Sequence, residues 1–328
     1  MVEVDDVFLS CVCFLCVDEP DGSGAVRPVP TATAFLVGVP LGSTPPASVD
    51  YVVTARHCIE QARARGKNTI YIRFNSKAGD FKEVPTDVDD WLPHNTADVA
   101  AIQFPTDALP GGLAAKDVDA ASLSMSTFVG PGPHYEWEGE IPDYGKKVIR
   151  FVVGHEIYLT GLFTEHYGKE RNLPIARFGH ISRMPGTVEI ESAGGRAEIT
   201  AYLAEFQSWG GQSGSPVFFW HPMMAQTDVT DGGGNTIRTT YDLMHATAFL
   251  GLVHGHYDIR STQETKDVGE LQLKLNSGIA IVTPADAVRQ LLMREDLVED
   301  REKIRKAFES GGPTPTPDGN DDGEDVGC

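Results

Sequence analysis

Long hydrophobic runs are missing from this sequence, and so is the basic start of an export signal. The most apolar stretch, residues 7–17, is too short to cross a bilayer, which takes about 20 apolar residues. A signal peptide opens with Lys or Arg, whereas Glu3, Asp5 and Asp6 precede this stretch. We therefore interpret residues 4–17 as a buried first strand.

Positive charge is also scarce. The chain has 27 Lys and Arg residues against 47 Asp and Glu residues, which gives a formal net charge of −20 at pH 7. A surface this acidic repels phosphate backbones and anionic lipids. The composition therefore predicts neither a nucleic-acid partner nor a membrane partner.

The even set of spaced cysteines that marks a disulfide scaffold is absent. There are 5 cysteines, and Cys11, Cys13 and Cys16 crowd into one apolar stretch. This usage fits a reducing compartment, so we expect a cytoplasmic protein with small buried thiols. In a strand, Cys16 would face away from Cys13, which argues against a metal site there. The sequence predicts no metal and no cofactor.

Helical periodicity is nearly absent before residue 284. The 34 glycines and 21 prolines mark turns, and short apolar runs between turns are typical of an all-β protein. We predict strands at residues 4–17, 31–39, 51–54, 69–74, 98–104, 147–154, 174–182, 186–191, 196–204, 216–220, 246–254 and 278–282. About six strands in each half predict two small antiparallel barrels. Residues 222–240 and 257–274 are interpreted as long surface insertions.

Three segments carry a chemical pattern. They are GQSGSP at residues 211–216, TARHC at residues 54–58 and ADVA at residues 97–100. They place His57, Asp98 and Ser213 in the chain order His…Asp…Ser. That is the order of chymotrypsin-type triads, and it differs from the order in subtilisins and in α/β-hydrolases.

These residue types match the needs of acyl transfer. A serine hydroxyl needs a base within hydrogen-bond reach, and the base needs a partner that orients it. Ser213 would attack a carbonyl, His57 would move the proton and Asp98 would orient His57. Developing charge on the carbonyl oxygen needs fixed donors. We assign this oxyanion hole to the backbone N–H groups of Gly211 and Ser213.

Each segment also has a plain structural interpretation. The glycine-containing segment around Ser213 could be an ordinary turn, His57 a core histidine and Asp98 a turn former. The joint order and the apolar flanks favour the catalytic interpretation. The sequence does not exclude a fold that keeps these residues without useful activity.

The predicted domains follow from these assignments. Residues 1–130 form a first barrel with His57 and Asp98, and residues 131–293 form a second barrel with Ser213 that ends in a helix. That helix begins near Thr283, a candidate cap followed by a proline suited to a first turn. Residues 294–310 are predicted to form a charged helix. Residues 311–328 have the composition of a disordered acidic tail.

With these residues in hand, the chain resembles the chymotrypsin/trypsin-like serine proteases. Within them it is most similar to bacterial or intracellular trypsin-like peptidase domains. The segments that carry the resemblance are residues 32–37, 52–58, 98–102, 210–217 and 278–284. The resemblance implies two orthogonal six-stranded barrels with the site in the cleft between them. His57 and Asp98 would come from the first barrel and Ser213 from the second.

The chain departs from the family pattern in three places. Cys58 lacks the cysteine partner that secreted members usually carry, which supports a reducing location. Gln212 and Ser215 replace the Asp and Gly of the familiar box around the serine. Since secreted zymogens use that Asp to bind a new N-terminal amine, we predict no activation of that kind. Gln207 stands where trypsin-like specificity needs an acid, so a preference for Lys or Arg is not supported.

His254 and His256 lie on a strand that lines the specificity pocket in the family. Some relatives use a pocket histidine to recognise Glu or Gln, so the resemblance implies substrate binding by Gln207, His254 and His256. An ordinary strand or loop role is the alternative for both histidines.

Our first interpretation is a serine endopeptidase that cleaves a protein or peptide substrate through an acyl-enzyme. The second is a protease-like fold that serves as a binding or sensor module with little activity. An esterase would carry its serine between a strand and a helix, whereas Ser213 precedes the predicted strand 216–220.

Overall fold

The computed structural model describes residues 4–20, 24–43, 47–104, 117–130, 136–141, 145–192, 195–206, 210–230, 236–265 and 269–310. The described chain is mostly β, with curled sheets and small helices near its C-terminal end, and this confirms the all-β, chymotrypsin-like fold class. None of the described helices is long and apolar enough to span a membrane.

The first half forms one eight-stranded sheet, whereas the sequence predicts about six strands there. Its strands are β1 (Val12–Pro20), β2 (Val26–Pro40), β3 (Ser48–Thr54), β4 (Thr69–Asn75), β5 (Phe81–Asp87), β6 (Leu92–Pro93), β7 (Ala100–Gln103) and β8 (Leu123–Ser124). Their order is β5-β4-β1-β2-β3-β7-β6, and β8 pairs with β2. The alternation predicted for β4 is confirmed, because Ile70, Ile72 and Phe74 are all buried in the core.

The second half contains a closed six-stranded barrel. A hairpin of β9 (Glu136–Ile141) and β10 (Gly145–Arg150) precedes it, and of these two strands only β10 overlaps a predicted one, 147–154. The barrel strands are β11 (Glu156–Gly161), β12 (Ile175–Ser192), β13 (Gly195–Glu205), β14 (Pro216–Thr230), β15 (Thr236–Thr265) and β16 (Gly269–Pro284). They close in the order β11-β12-β13-β16-β15-β14.

The described residues of the two predicted insertions continue the barrel strands. β14 and β15 stay paired far beyond the barrel, with Met223 opposite Met244. β15 and β16 do the same, with Arg260 opposite Lys274. The polar, glycine-rich composition of these segments hid the strands, because paired arms that leave the barrel need no alternation of buried side chains.

A helical turn precedes the first strand, whereas the sequence predicts a strand from residue 4. Helix α1 (Asp6–Ser10) precedes β1. The centroid of the Phe8 ring lies 4.7 Å from that of Phe218 and 6.2 Å from that of Tyr158, and both of these residues belong to the second barrel. The Thr160 hydroxyl donates to the Phe8 carbonyl over 2.8 Å. The beginning of the chain therefore packs on the far half, which local pattern alone does not reveal.

The remaining helices are α2 (Arg56–Ala64), α3 (Ala285–Leu292) and α4 (Glu295–Ser310). The apolar side chains of α3 are buried in a core that contains residues from both halves. Pro284 holds the cap position of α3, and the side chain of Thr283 does not cap it. On α4, buried Arg301 donates to the hydroxyl of Tyr51 in β3 over 3.0 Å. The predicted tail, residues 311–328, lies outside the described residues.

Candidate catalytic site

His57 and Asp98 meet because two strands pair. His57 follows the end of β3 in the first turn of α2, and Asp98 precedes β7. β3 and β7 are antiparallel, with Thr54 opposite Ala100. The backbone N–H of His57 donates to Asp98 Oδ1 over 2.9 Å, and His57 Nδ1 lies 2.7 Å from Asp98 Oδ2. One buried carboxylate therefore fixes both the backbone and the ring of His57.

The charges of this pair support each other. Burial alone would raise the pKa of Asp98, but hydrogen bonds from His254 and His57 outweigh it and hold the pKa well below its usual range. Burial alone would lower the pKa of His57, but Cys58 and Asp98 outweigh it and raise the pKa well above its usual value. Asp98 is thus a stable carboxylate, and the protonated form of His57 is favoured.

Ser213 sits in a turn, residues 210–215, that we call the serine turn. Gly211 and Gly214 have φ angles of +91° and +83°, a region that side chains rarely allow. The Gly214 N–H donates to the Val253 carbonyl over 2.8 Å, and the Thr33 N–H donates to the Ser213 carbonyl over 3.0 Å. The serine turn is therefore held by β15 on one side and by β2 of the first sheet on the other.

The hydroxyl of Ser213 is directed to another acceptor than His57. Ser213 Oγ donates to the carbonyl of His254 over 3.2 Å. Within the described residues, no hydrogen bond joins Ser213 Oγ to His57 Nε2, and that nitrogen instead lies 3.7 Å from Cys58 Sγ. The structure brings His57 and Asp98 together and holds Ser213 on a neighbouring turn, without the hydroxyl–imidazole bond of a formed triad.

The proposed oxyanion donors remain a prediction. Among the described residues, the N–H groups of Gly211 and Ser213 make no backbone hydrogen bond. The carbonyl of Gly211 accepts from the Thr33 hydroxyl over 2.8 Å. That contact fixes the peptide group on the C-terminal side of Gly211.

The sequence did not predict the contact that His254 makes with Asp98. Its Nδ1 makes a short hydrogen bond to Asp98 Oδ2, the oxygen that also faces His57 Nδ1. The ring centroids of His254 and His57 are 5.1 Å apart, and the two rings meet edge to face with an interplanar angle of 69°. The carboxylate of Asp98 is therefore shared by two imidazoles.

The structure places two of the three predicted pocket residues, His254 and His256. The pairing of β14 with β15 carries His254 to the serine turn, since Val253 bonds to Ser215 there. His256 follows on the same strand and is half-buried. Gln207 lies outside the described residues. A substrate-binding role for these three residues stays a prediction.

The shared carboxylate also creates a cluster with metal-ligating atoms. His57, Asp98 and His254 each offer one such atom, and these atoms lie within 4.8 Å of one another. We predicted no metal from the sequence. Nothing in the local spacing indicates this cluster, because its members lie on three separate elements.

Of the comparisons with known proteins, the one with solved structures gives a match. No protein-family model matches the chain, and no curated protein matches its sequence. Among solved structures, the chain is similar to the MamO protease domain from Magnetospirillum magneticum in its apo form. The identity is 14%, the TM-score is 0.42, and the match covers 87% of this chain and 96% of that chain.

Proposed function

We propose that this protein is a serine endopeptidase that cleaves protein or peptide substrates through an acyl-enzyme. The observation that carries the proposal is the double contact of Asp98 with the backbone N–H and Nδ1 of His57. A carboxylate in that place orients the imidazole and stabilises its protonated form during acyl transfer. Asp98 would remain charged throughout, as its low pKa requires.

Ser213 would serve as the nucleophile. Its hydroxyl would leave the His254 carbonyl and donate to His57 Nε2, which requires a side-chain rotation of Ser213. Side chains occupy a few discrete staggered positions, and catalytic hydrogen bonds often tighten only with substrate bound. His57 would accept the hydroxyl proton and return it to the leaving amine.

The backbone of the serine turn would stabilise the developing oxyanion. The N–H groups of Gly211 and Ser213 make no backbone hydrogen bond within the described residues. Glycine adopts the positive φ angle of Gly211 at low cost, whereas other residues rarely do. Loss of one oxyanion donor costs about 10²–10³ in turnover in enzymes of this chemistry.

A binding or sensor module is the second candidate, and one observation favours it. The Ser213 hydroxyl is bonded to His254 rather than to His57. The raised pKa of His57 also favours the protonated ring, which cannot act as a base. A module of this kind would keep the fold and the ion pair while its serine stays unreactive.

A fluorophosphonate probe separates the two candidates, because it labels only an activated serine. We expect the full chain to be labelled and Ser213→Ala to be unlabelled. Ser126→Ala is the matched control, since Ser126 is exposed and its hydroxyl bonds to that of the nearby Ser124. Labelling that is equal in the parent and in Ser213→Ala, or absent from both at all pH values from 6 to 9, would remove the peptidase proposal.

A further inference from the structure

Two imidazole rings converge on one oxygen atom in this structure. The Nδ1 atoms of His57 and His254 both lie within hydrogen-bond distance of Asp98 Oδ2. One oriented histidine is all that acyl transfer requires of the carboxylate. The second ring is therefore a feature that the proposed function does not use.

The converging atoms form a donor set with a clear chemical preference. Two imidazole nitrogens and one carboxylate oxygen suit Zn²⁺ and similar divalent transition metals, whereas Ca²⁺ and Mg²⁺ prefer oxygen ligands. Ligand atoms around Zn²⁺ stand about 2.0–2.2 Å from the ion. The three atoms here lie within 4.8 Å of one another, so small side-chain movements would admit an ion between them.

The surroundings allow an ion to enter. The side chains of His57 and His254 are 23% and 15% exposed, while that of Asp98 is 6% exposed. A buried anion beside two partly exposed imidazole side chains can bind a cation that arrives from solvent. An open fourth position would be left for water, as in metal sites with three protein ligands.

We propose that His57, Asp98 and His254 form a binding site for a divalent transition metal such as Zn²⁺. Binding exchanges the protons that now lie between each Nδ1 and Asp98 for one metal ion, so uptake releases protons to solvent. Metal and productive acyl transfer are mutually exclusive here, because the ion occupies the Nδ1 atom through which Asp98 orients His57. This second consequence, reversible inhibition, rests on the proposed peptidase function.

Direct binding tests the site without any need for activity. We expect the metal-stripped full chain to bind one Zn²⁺ by titration calorimetry, and Co²⁺ to give the visible absorption of a low-symmetry nitrogen and oxygen site. His254→Ala and His254→Gln should weaken binding by about tenfold or more. His166→Ala is the matched control, since His166 is exposed and lies outside the cluster. Both His254 variants should be checked for native circular dichroism.

Unchanged Zn²⁺ affinity in folded His254→Gln, or no binding by the parent chain at 100-fold excess of Zn²⁺ over protein, would overturn the metal site. Ser213→Ala separates this inference from the peptidase proposal, because it should bind Zn²⁺ as the parent does while losing the fluorophosphonate label. In the parent, Zn²⁺ should suppress labelling and a chelator should restore it. Labelling without metal binding contradicts the metal site alone, and metal binding without labelling contradicts the peptidase alone.

Discussion

The hydroxyl of Thr33 in the first sheet donates to the carbonyl of Gly211 in the serine turn over 2.8 Å. The same hydroxyl accepts from the N–H of Leu162 over 2.9 Å. The Thr33 carbonyl accepts from the hydroxyl of Thr54, three residues before His57, over 2.7 Å. One buried threonine therefore fixes the serine turn relative to the strand that leads to the candidate base.

Thr33→Val should weaken both the fold and the site. It replaces the hydroxyl by a methyl group and leaves the Leu162 N–H and the Gly211 carbonyl without this partner. Each buried polar group left unpaired costs about 1–3 kcal/mol. We expect a loss of at least about 2 kcal/mol in the free energy of unfolding by urea, together with a slower rate of fluorophosphonate labelling.

Thr33→Ser is the matched control for that change, because it keeps the hydroxyl. It should retain most of the labelling rate. Equal labelling rates in Thr33→Val and the parent would show that the serine turn does not depend on this contact.

Gly214→Ala should prevent native folding of the serine turn. A Cβ atom there would stand 2.2 Å from the Thr33 carbonyl oxygen and 2.4 Å from the Thr54 hydroxyl, at a φ angle of +83°. Overpacking and the left-handed backbone together cost about 2–5 kcal/mol. Thermal unfolding followed by circular dichroism would measure the loss.

Gly210→Ala is the neighbouring control. A Cβ atom at Gly210 meets nothing within 4 Å, so its effect on unfolding should stay below about 1 kcal/mol. Similar melting temperatures for the two alanine variants would contradict the geometry described for the serine turn.

The pairing of strands distant in the chain explains which features the sequence could predict and which it could not. The fold class follows from turn residues and short apolar runs, and β4 shows the alternation on which that inference rests. The Asp98–His57 contact depends on the β3–β7 register, for which the local pattern holds only the apolar flanks. His254 reaches Asp98 through the β14–β15 pairing and the backbone bonds of Val253, a long-range arrangement that no spacing rule encodes.

Two misassigned segments have a similar physical origin. Residues 4–10 were interpreted as strand because residues 7–10 continue into the apolar run that ends at residue 17. A helical turn there instead packs Phe8 on the second barrel. The polar composition of residues 222–240 and 257–274 predicted loops, whereas their described residues lie in paired strands. Pairing of two strands with each other satisfies their backbone groups without any contribution from a core.

Cys58 should be the reactive thiol among the described cysteines. Burial raises the pKa of Cys11, Cys13 and Cys16, the last to about 12, so these three should stay protonated and inert. Cys58 is half-buried, with Sγ 3.7 Å from His57 Nε2. Iodoacetamide should therefore modify Cys58 first among these four, as peptide mapping by mass spectrometry would show.

Modification of Cys58 should also block the site, because the added group would stand beside the nitrogen that Ser213 must reach. We expect fluorophosphonate labelling to fall at least about tenfold after alkylation. Cys58→Ala should label before and after the same treatment. Loss of labelling in Cys58→Ala before any treatment would instead make the thiol part of the reactive machinery.

His155 should make the fold sensitive to mild acid. Burial and the nearby His221 lower the pKa of His155 below its usual value of about 6.5. The folded state thus binds this proton more weakly than the unfolded chain does. The stability that His155 contributes is present above about pH 6.5 and is lost as the pH falls through the lower, folded-state pKa.

Melting temperatures at pH 7.5 and 5.5 would check this expectation. The drop between the two values should be smaller in His155→Asn than in the parent. Groups remote from His155 act equally in both proteins, so the difference reports on His155 and its contact with His221. A larger drop in the variant would show that the ring gains a proton on folding.

The bond between Arg301 and Tyr51 joins residues 250 positions apart. A ribosome adds about 5–20 residues per second, so Arg301 is synthesised about 12–50 s after Tyr51. Over that interval the nascent amino-terminal sheet presents uncovered apolar surface to the cell, and such surface is prone to aggregate and to engage chaperones. Helix α4 thus completes the packing of a sheet whose strand β3 was made about 250 residues earlier.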